Sequence, residues 1–272
     1  MGISSSLSPA SSIGIFDSGV GGLTVFEAIQ EQLPQENLVY LGDTARVPYG
    51  NKSRETITRY SIENTKFLLQ CGIKVLIIAC NTASALAISE LQKQFSLPII
   101  GVIEPGALAA VATTKTKEVA VIGTESTIRS ASYAKAIAQL NPAIRVWGTA
   151  CPLFVPLAEE GWMDEEVTKL VAEKYLSSFH KTPIDTIILG CTHYPLLKKR
   201  IAQVMGVSVT LVDSAEQTAL ALQQLLQKES LQNPQIQKGS ETFFVTDSPD
   251  RFRQVGRTFL GRPLEGVTLV SV

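Results

Sequence analysis

The sequence has no marked excess of either charge and no long hydrophobic run. Its 24 lysine and arginine residues nearly balance its 25 aspartate and glutamate residues, and no basic cluster indicates a nucleic-acid or membrane-surface partner. No apolar stretch approaches the roughly 18 residues that a membrane span requires. These absences leave a small molecule as the expected partner, with no nucleic acid and no membrane involved.

The chain also lacks a signal peptide and closely spaced cysteines. The segment MGISSSLSPASS has neither a basic start nor an apolar core, and we expect a disordered leader over residues 1–12. Without an export signal, we expect a cytoplasmic protein whose cysteines are free thiols rather than disulfides. The four cysteines are Cys71, Cys80, Cys151 and Cys191.

Continuous apolar runs alternate with helix-like stretches along most of the chain. Runs such as SIGIFDSG, NLVYLGDT and VLIIACNT are apolar at successive positions, which is typical of strands buried on both faces of a parallel sheet. Helix-like stretches such as SRETITRYSIENTKFLLQ lie between them. This alternation predicts the α/β class with mostly parallel sheets.

The layout of the chain occurs twice. The strand, polar turn and helix of SIGIFDSGVGGLTVFEAIQEQL return in EVAVIGTESTIRSASYAKAIAQL, and each unit later presents a cysteine after a strand. We therefore expect two similar α/β domains, with a turn around Glu104–Pro105 between them. The first would comprise residues 13–105 plus 214–272, and the second residues 106–213. The tail is expected to complete the first sheet, and its last helix to be capped by Ser248.

Two of the cysteines stand at matching places in this repeat, each just after a strand. Polar side chains come after both of them: Asn81 and Thr82 after Cys80, and Thr192 and His193 after Cys191. Ligands of open α/β sheets bind beyond the carboxyl ends of the strands. The helix expected after each cysteine should lower the thiol pKa from about 8.5 toward neutrality. The remaining two cysteines are expected to be small buried apolar residues.

Two opposed thiols can invert a stereocentre. If the repeats are related by a pseudo-two-fold axis, Cys80 and Cys191 approach one ligand from opposite sides. One thiolate then removes a proton from a carbon atom while the other thiol delivers a proton to the opposite face. Asp17 and His193 are the titratable residues expected to tune the two thiols.

Other chemistries fit the pattern less well. The segment FDSGVGG is not a P-loop, and Asp17 inside it would repel phosphate. A cysteine-dependent phosphatase would need arginine where Leu86 and Leu197 stand. A zinc site would have suitable ligand types without the usual paired spacing, and its ligands would be Asp17, Cys80, Cys191 and His193.

With these residues, the chain resembles the glutamate racemases of the cofactor-independent aspartate/glutamate racemase superfamily. The shared motifs run in family order from Ile13 to Asp213: GIFDSGVGGLTV, GDTARVPYG, ACNTASA, GVIEP, LFVPLAEEG and GCTHYPLL. The resemblance implies two α/β domains with the active site in the cleft between them. It implies interconversion of L- and D-glutamate without a cofactor or metal, supply of D-glutamate for peptidoglycan, and assembly as a homodimer.

The same motifs assign roles to residues by resemblance. Cys80 is expected to act on D-glutamate with help from Asp17. Cys191 is expected to act on L-glutamate with help from His193. Glu159, rather than the adjacent glutamate, is expected on the Cys191 side. The residues expected to hold the substrate are Asp17, Ser18, Tyr49, Gly50, Asn81, Thr82, Thr192 and His193.

Two alternatives remain open at this stage. The same thiol pair would serve a racemase of aspartate or a related amino acid, because no motif reports the depth of the pocket. The chain could also be an amino-acid-binding module that has lost its chemistry. Retention of both Cys80 and Cys191 argues against the binding module, because loss of either thiol would suffice to abolish racemisation.

Overall fold

The computed structural model describes residues 8–272, which form two parallel β-sheets surrounded by helices. The strands are β1 Ser12–Asp17, β2 Leu38–Gly42, β3 Ile73–Ile78, β4 Ile99–Gly101, β5 Glu118–Gly123, β6 Arg145–Ala150, β7 Thr186–Gly190, β8 Thr210–Asp213, β9 Glu241–Val245 and β10 Val267–Leu269. The first sheet has the strand order β10-β9-β2-β1-β3-β4, and the second has the order β6-β5-β7-β8. The predicted α/β class with parallel sheets is confirmed.

The two sheets share one internal order. In the first sheet the run β2-β1-β3-β4 repeats the layout of β6-β5-β7-β8 in the second. Their central strands pair alike, with Phe16 opposite Ile78 and Ile122 opposite Leu189. The first sheet is then extended beyond β2 by the two strands of the tail.

Burial on both faces explains the continuous apolar runs. Every residue of β3 is buried, as is every residue of β1 except Ser12. Because successive side chains of a strand point to opposite faces, Ile13 and Ile15 join one hydrophobic core while Phe16 joins another. Helices cover both faces of each sheet. The polar residues at the carboxyl ends of the strands are therefore the part of the sheet available to bind a ligand.

The helices are α1 Leu23–Gln32, α2 Arg54–Gln70, α3 Asn81–Gln94, α4 Ile103–Thr113, α5 Glu125–Ser130, α6 Ser132–Leu140, α7 Phe154–Glu159, α8 Glu166–Leu176, α9 Lys198–Met205, α10 Ser214–Lys228 and α11 Pro249–Leu260. Several begin at the side chains that favour helix starts. Ser53 accepts a bond from the Thr56 amide, and Thr124 accepts one from the Thr127 amide, both at 3.3 Å. None of the helices in residues 8–272 is long and apolar enough to cross a lipid bilayer.

Two helices cross between the halves of the molecule. Helix α4 comes after β4 at one edge of the first sheet, yet Ile103 and Ala107 pack in a core with Val121 of the second sheet. Helix α10 comes after the last strand of the second sheet, yet Ala219 and Leu222 pack in the core of the first. Each half is therefore covered by a helix that follows, in the sequence, a strand of the other half.

Three local predictions are wrong. Glu104–Pro105 forms no turn, because it lies in the first turn of α4, where proline is tolerated since no helical hydrogen bond is lost there. The polar turn and single helix expected after β5 are instead two helices, α5 and α6, which meet at Ala131 in a left-handed conformation with φ 54°. Ser248 occupies the predicted N-cap position of α11, but its side chain makes no capping hydrogen bond. Its amide donates to Asp247 Oδ1 at 2.7 Å, and its backbone is left-handed.

The two ends of the chain also differ from expectation in detail. Residues 1–7 of the expected leader lie outside the described residues, whereas residues 8–11 form a turn in which the Ser11 amide donates to Ser8 O. Lys74, fully buried, donates to Pro9 O, and β1 already begins at Ser12. Strand β10 was not anticipated from the sequence. It is only three residues long, and two of them are exposed.

Candidate active site

A cavity of about 390 Å³ lies where strands of both sheets end. The sequence-predicted residues that the first half contributes to its wall are Ser18, Tyr49, Gly50, Cys80, Asn81 and Thr82. Those from the second half are Glu159, Cys191, Thr192 and His193. All of the sequence-predicted site residues except Asp17 thus line one cavity. Asp17 lies behind the residues that line it.

Cys80 lies between β3 and α3 on the first side of the cavity. It occupies the N-cap position of α3, and only 6% of its surface is exposed. Burial raises the pKa of its thiol to about 12, with a further increase from the nearby charge of Asp17. A backbone hydrogen bond from Ala83 lowers the pKa but does not offset these effects. The expectation that the helix terminus would bring this pKa toward neutrality is therefore wrong for Cys80.

Asp17 ends β1 and is completely buried behind the wall. The Gly19 amide donates to its Oδ2 at 2.9 Å, whereas Oδ1 has no hydrogen-bond donor among residues 8–272. Burial raises the pKa of this carboxyl group, although the charge of His193 and backbone amides act in the opposite direction. Asp17 thus acts on the cavity through its charge rather than through contact with the cavity surface.

Cys191, His193 and Glu159 form a chain on the opposite side. His193 Nδ1 lies 3.8 Å from Cys191 Sγ, and His193 Nε2 lies 2.9 Å from Glu159 Oε1. Burial lowers the pKa of His193, but its hydrogen bonds with Cys191 and Glu159 outweigh burial and raise the pKa to about 10. The imidazole is consequently protonated at neutral pH. Burial alone would raise the pKa of Glu159, but its hydrogen bond to His193 lowers it overall.

Cys191 differs from Cys80 in the local structure on its C-terminal side. The 3₁₀ turn Tyr194–Leu197 separates Cys191 from α9, so this cysteine is not at the start of an α-helix. The residue that contacts its sulfur is instead His193. The two thiols therefore occupy matching positions in the strand order with different neighbours.

Glycine in the loop after β1 allows the two halves to meet at His193. A Cβ atom on Gly21 would lie 2.5 Å from ring atoms of His193 and 2.3 Å from Thr192 Oγ1, distances too short for any side chain. Thr24 in the same region donates to Thr192 O at 3.2 Å. From the tail, Phe259 packs against the imidazole with the ring centres 5.3 Å apart. The position of His193 thus depends on both halves.

Hydrogen bonds among polar side chains hold the loop that carries Tyr49 and Gly50. The Tyr49 hydroxyl donates to Asp43, and Asn64 of α2 donates to the Tyr49 oxygen at 3.2 Å. Arg46 pairs with Asp43 at 2.7 Å. The loop then contacts the second half, because the Ser126 amide donates to Gly50 O at 3.0 Å.

Sequence reasoning missed Thr124 as a site residue. Thr124 lines the cavity, and its hydroxyl lies 2.9 Å from that of Thr82 and 3.0 Å from that of Thr127. Thr124 follows β5 in the second half much as Asp17 ends β1 in the first. The internal repeat could therefore have identified Thr124 as a site residue. Other missed lining residues come from loops, α5 and α7: Val47, Pro48, Asn51, Glu125, Pro152, Val155 and Pro156.

The zinc interpretation has no ligand set in the part of the chain that the structure describes. No group of three or more histidine, cysteine, aspartate or glutamate side chains there is arranged to hold a metal ion. The side chains at the cavity are instead disposed for proton transfer. Two thiols face one space, and each has a charged residue beside or behind it.

Comparison with known proteins gives one consistent result. The Asp/Glu/Hydantoin racemase family model matches residues 13–222. A glutamate racemase from Geobacter metallireducens is 55% identical over 264 residues, which cover 97% of this chain and 98% of that protein. The crystal structure of a glutamate racemase from Bacillus anthracis superposes with a TM-score of 0.93 at 40% identity, covering 96% of this chain and 98% of that one.

A second solved structure carries a ligand. The glutamate racemase from Francisella tularensis in complex with D-glutamate has a TM-score of 0.91 and 41% identity, covering 97% of this chain and 98% of that one. These matches extend over nearly the whole chain, including the tail that the family model leaves out. The chain therefore belongs to the Asp/Glu/hydantoin racemase family, and within it to the glutamate racemases.

Proposed function

We propose that this protein interconverts L- and D-glutamate by proton transfer between Cys80 and Cys191, with no cofactor. The observation that carries the proposal is that the two thiols line one cavity from two different sheets. A single planar carbanion held between them can be protonated from either side. The same cavity carries hydroxyl and amide donors suited to an amino acid with two carboxylates.

The protonated states of Cys80 and His193 suit the conversion of L-glutamate to D-glutamate. The raised pKa of Cys80 keeps this thiol protonated at neutral pH, so it is ready to donate. The protonated His193 beside Cys191 stabilises negative charge on that sulfur. The Cys191 thiolate removes the α-proton of L-glutamate, and the Cys80 thiol protonates the opposite face to give D-glutamate. The reverse reaction begins with the two protonation states exchanged.

Glu159 and Asp17 act on the two thiols from a distance. Glu159 holds the imidazole through its 2.9 Å bond to Nε2, which directs Nδ1 toward Cys191. Asp17 places a negative charge near Cys80, which favours the protonated form of this thiol. Asp17 also offers a negative charge to the substrate ammonium group, while the carboxylates are held by Ser18, Tyr49, Gly50, Asn81, Thr82, Thr192 and His193.

The biological setting is inferred from the reaction. D-glutamate produced here would supply peptidoglycan synthesis, as the family resemblance implies. A cytoplasmic location suits a mechanism that requires two reduced thiols, and the four described cysteines are all unpaired. A racemase of aspartate is the second candidate, and L-aspartate is therefore included in the test of the function.

The domains and the assembly are also proposals. We divide the chain into a first domain, residues 13–105 plus 214–272, and a second domain, residues 106–213. The sheet memberships and the packing of α10 in the first core support this division, whose boundary at residue 105 falls in the first turn of α4. A homodimer is the expected assembly. Light scattering during size-exclusion chromatography would test it, and a mass equal to that of one chain would contradict it.

Circular dichroism of L-glutamate, incubated with purified protein and no added cofactor, tests the function directly. The ellipticity should decay to zero with L-glutamate and persist with L-aspartate. Decay with aspartate alone would keep the two-thiol mechanism and change the substrate. Persistence with both amino acids, also after addition of a peptidoglycan precursor, would support a binding module without catalysis.

A further inference from the structure

Tyr133 reaches from the second half to Asn81, the residue after Cys80. It lies in α6, is 2% exposed, and donates its hydroxyl hydrogen to Asn81 Oδ1 at 2.7 Å. Burial raises the pKa of this phenol, so it stays protonated and remains a donor. The hydrogen bond joins the two halves directly at the cavity wall.

The amide group of Asn81 is only partly satisfied. Its oxygen is taken by Tyr133, but Nδ2 is buried without a hydrogen-bond acceptor among residues 8–272. Asn81 lines the cavity and is 3% exposed. A buried N–H group without an acceptor is costly, so this NH₂ group is suited to an acceptor that arrives in the cavity.

The Tyr133 hydroxyl holds one end of the Asn81 amide. An asparagine side chain can turn over and exchange its oxygen and nitrogen, and the donors and acceptors around it influence its orientation. Here the hydroxyl donates to Oδ1, and the NH₂ group is the end of the amide left without a partner among residues 8–272. Without the hydroxyl, the amide could present its oxygen instead, which would repel a carboxylate.

The ring of Tyr133 also contacts the segment of the other cysteine. A Cβ atom on Gly190, the residue before Cys191, would lie 3.2 Å from Tyr133 Cε2. One side chain therefore bonds to the residue after Cys80 and lies close to the residue before Cys191. Replacing tyrosine by phenylalanine keeps this ring contact and removes only the hydroxyl.

We infer that Tyr133 is a positioning residue, which holds the Asn81 amide so that its NH₂ group donates to a carboxylate of the substrate. The inference rests on the proposed function, because it requires an amino acid in the cavity. It concerns binding rather than proton transfer. Loss of the hydroxyl should therefore raise KM and leave kcat nearly unchanged.

The experiment compares wild type with Tyr133→Phe, Asn81→Ala and the double variant, at a temperature where circular dichroism shows all to be folded. Tyr133→Phe should raise KM about tenfold for both L- and D-glutamate, with kcat within about twofold. Asn81→Ala should raise KM by at least as much. Because the hydroxyl acts through the amide, the double variant should resemble Asn81→Ala within about twofold.

Tyr175→Phe is the matched control. Its hydroxyl also makes a hydrogen bond in the second half, accepting from the Leu153 amide at 3.2 Å, but Tyr175 does not line the cavity. Its KM should match wild type. If wild type racemises glutamate and Tyr133→Phe has an unchanged KM, or if the double variant is about tenfold worse than Asn81→Ala, the inference is wrong. If wild type racemises neither glutamate nor aspartate, the proposed function itself fails.

Discussion

The two walls of the cavity share a backbone plan but differ in charge. Cys80 comes after β3 and Cys191 after β7, and these strands hold matching places in the strand order that the two sheets share. Behind Cys80 is a buried carboxyl group, which favours the protonated thiol. Beside Cys191 is an imidazole with a pKa of about 10, which favours negative charge. Repetition of the plan places two thiols on one cavity, and each thiol has a neighbour of opposite charge to that beside the other.

Removal of either thiol should have the largest effect. Cys80→Ser and Cys191→Ser should each lower racemisation at least about a thousandfold, because a serine hydroxyl is a far weaker acid and base than a thiol. Cys71→Ser, at a half-buried cysteine away from the cavity, should retain normal rates. Racemisation is measured by circular dichroism of each enantiomer.

Solvent-deuterium exchange at the α-carbon then distinguishes the two walls. Cys80→Ser should still exchange the α-proton of L-glutamate, because Cys191 remains to remove and return it. Cys191→Ser should exchange only D-glutamate. Exchange of both enantiomers by one single variant would contradict the assignment of one thiol to each enantiomer.

Removal of the imidazole should have the next largest effect. His193→Asn should lower kcat from L-glutamate about a hundredfold, because Cys191 loses the charge that stabilises its thiolate. The enantiomers have equal free energies, so kcat/KM must fall equally in both directions. Initial rates from each enantiomer measure both effects, and an unchanged rate from L-glutamate would remove His193 from the mechanism.

Replacement of Glu159 tests the link behind the imidazole. Glu159→Gln should lower kcat about tenfold, because it weakens a charge-assisted hydrogen bond. Since that bond raises the pKa of His193, its loss should also move the alkaline limb of the pH–rate profile to lower pH. Glu160→Gln is the control, because the Glu160 side chain is 59% exposed and lies 4.0 Å from Arg251. Equal effects of the two variants would contradict the choice of Glu159.

The smallest expected effect is on stability at Asp17. Its folded-state pKa is raised above the usual value of about 4, so the folded state loses stability as the pH rises from that value through the folded pKa. Asp17→Asn should therefore raise Tm at pH 7 by about 2–4 °C and give no gain below about pH 4, while lowering activity less than the cysteine variants do. Thermal melts at several pH values measure this, and a lower Tm at pH 7 would contradict it.

The regular parts of this fold can be predicted from local pattern. Strands buried on both faces leave unbroken apolar runs, and α11 covers the stretch Pro249–Leu260 that its sequence indicated. Ala131 and Ser248 adopt left-handed conformations that their types do not suggest, because surrounding contacts override local preference. Strand β10 was missed although its residues favour strands, because it is only three residues long and is defined by its pairing with β9.

The site was predictable where the chain repeats itself and less so elsewhere. Cys80 and Cys191 could be identified because two strand ends carried the same residue. The raised pKa of Cys80 could not, since it depends on how deeply the folded chain buries this thiol and on the nearby charge of Asp17. Thr124 and Tyr133 escaped notice because their contacts join segments that are distant in sequence.

The crossing of α4 and α10 has a consequence for the order in which the chain folds during synthesis. The second sheet with α4 uses one continuous stretch of sequence, whereas the first sheet needs α10, β9 and β10 from the far end. On the ribosome the second half is therefore the first to have all its parts. Strands β1 to β4 of the first half are synthesised early, but the edge at β2 stays unpaired until the last residues emerge. During this interval the unpaired edge exposes the nascent chain to aggregation.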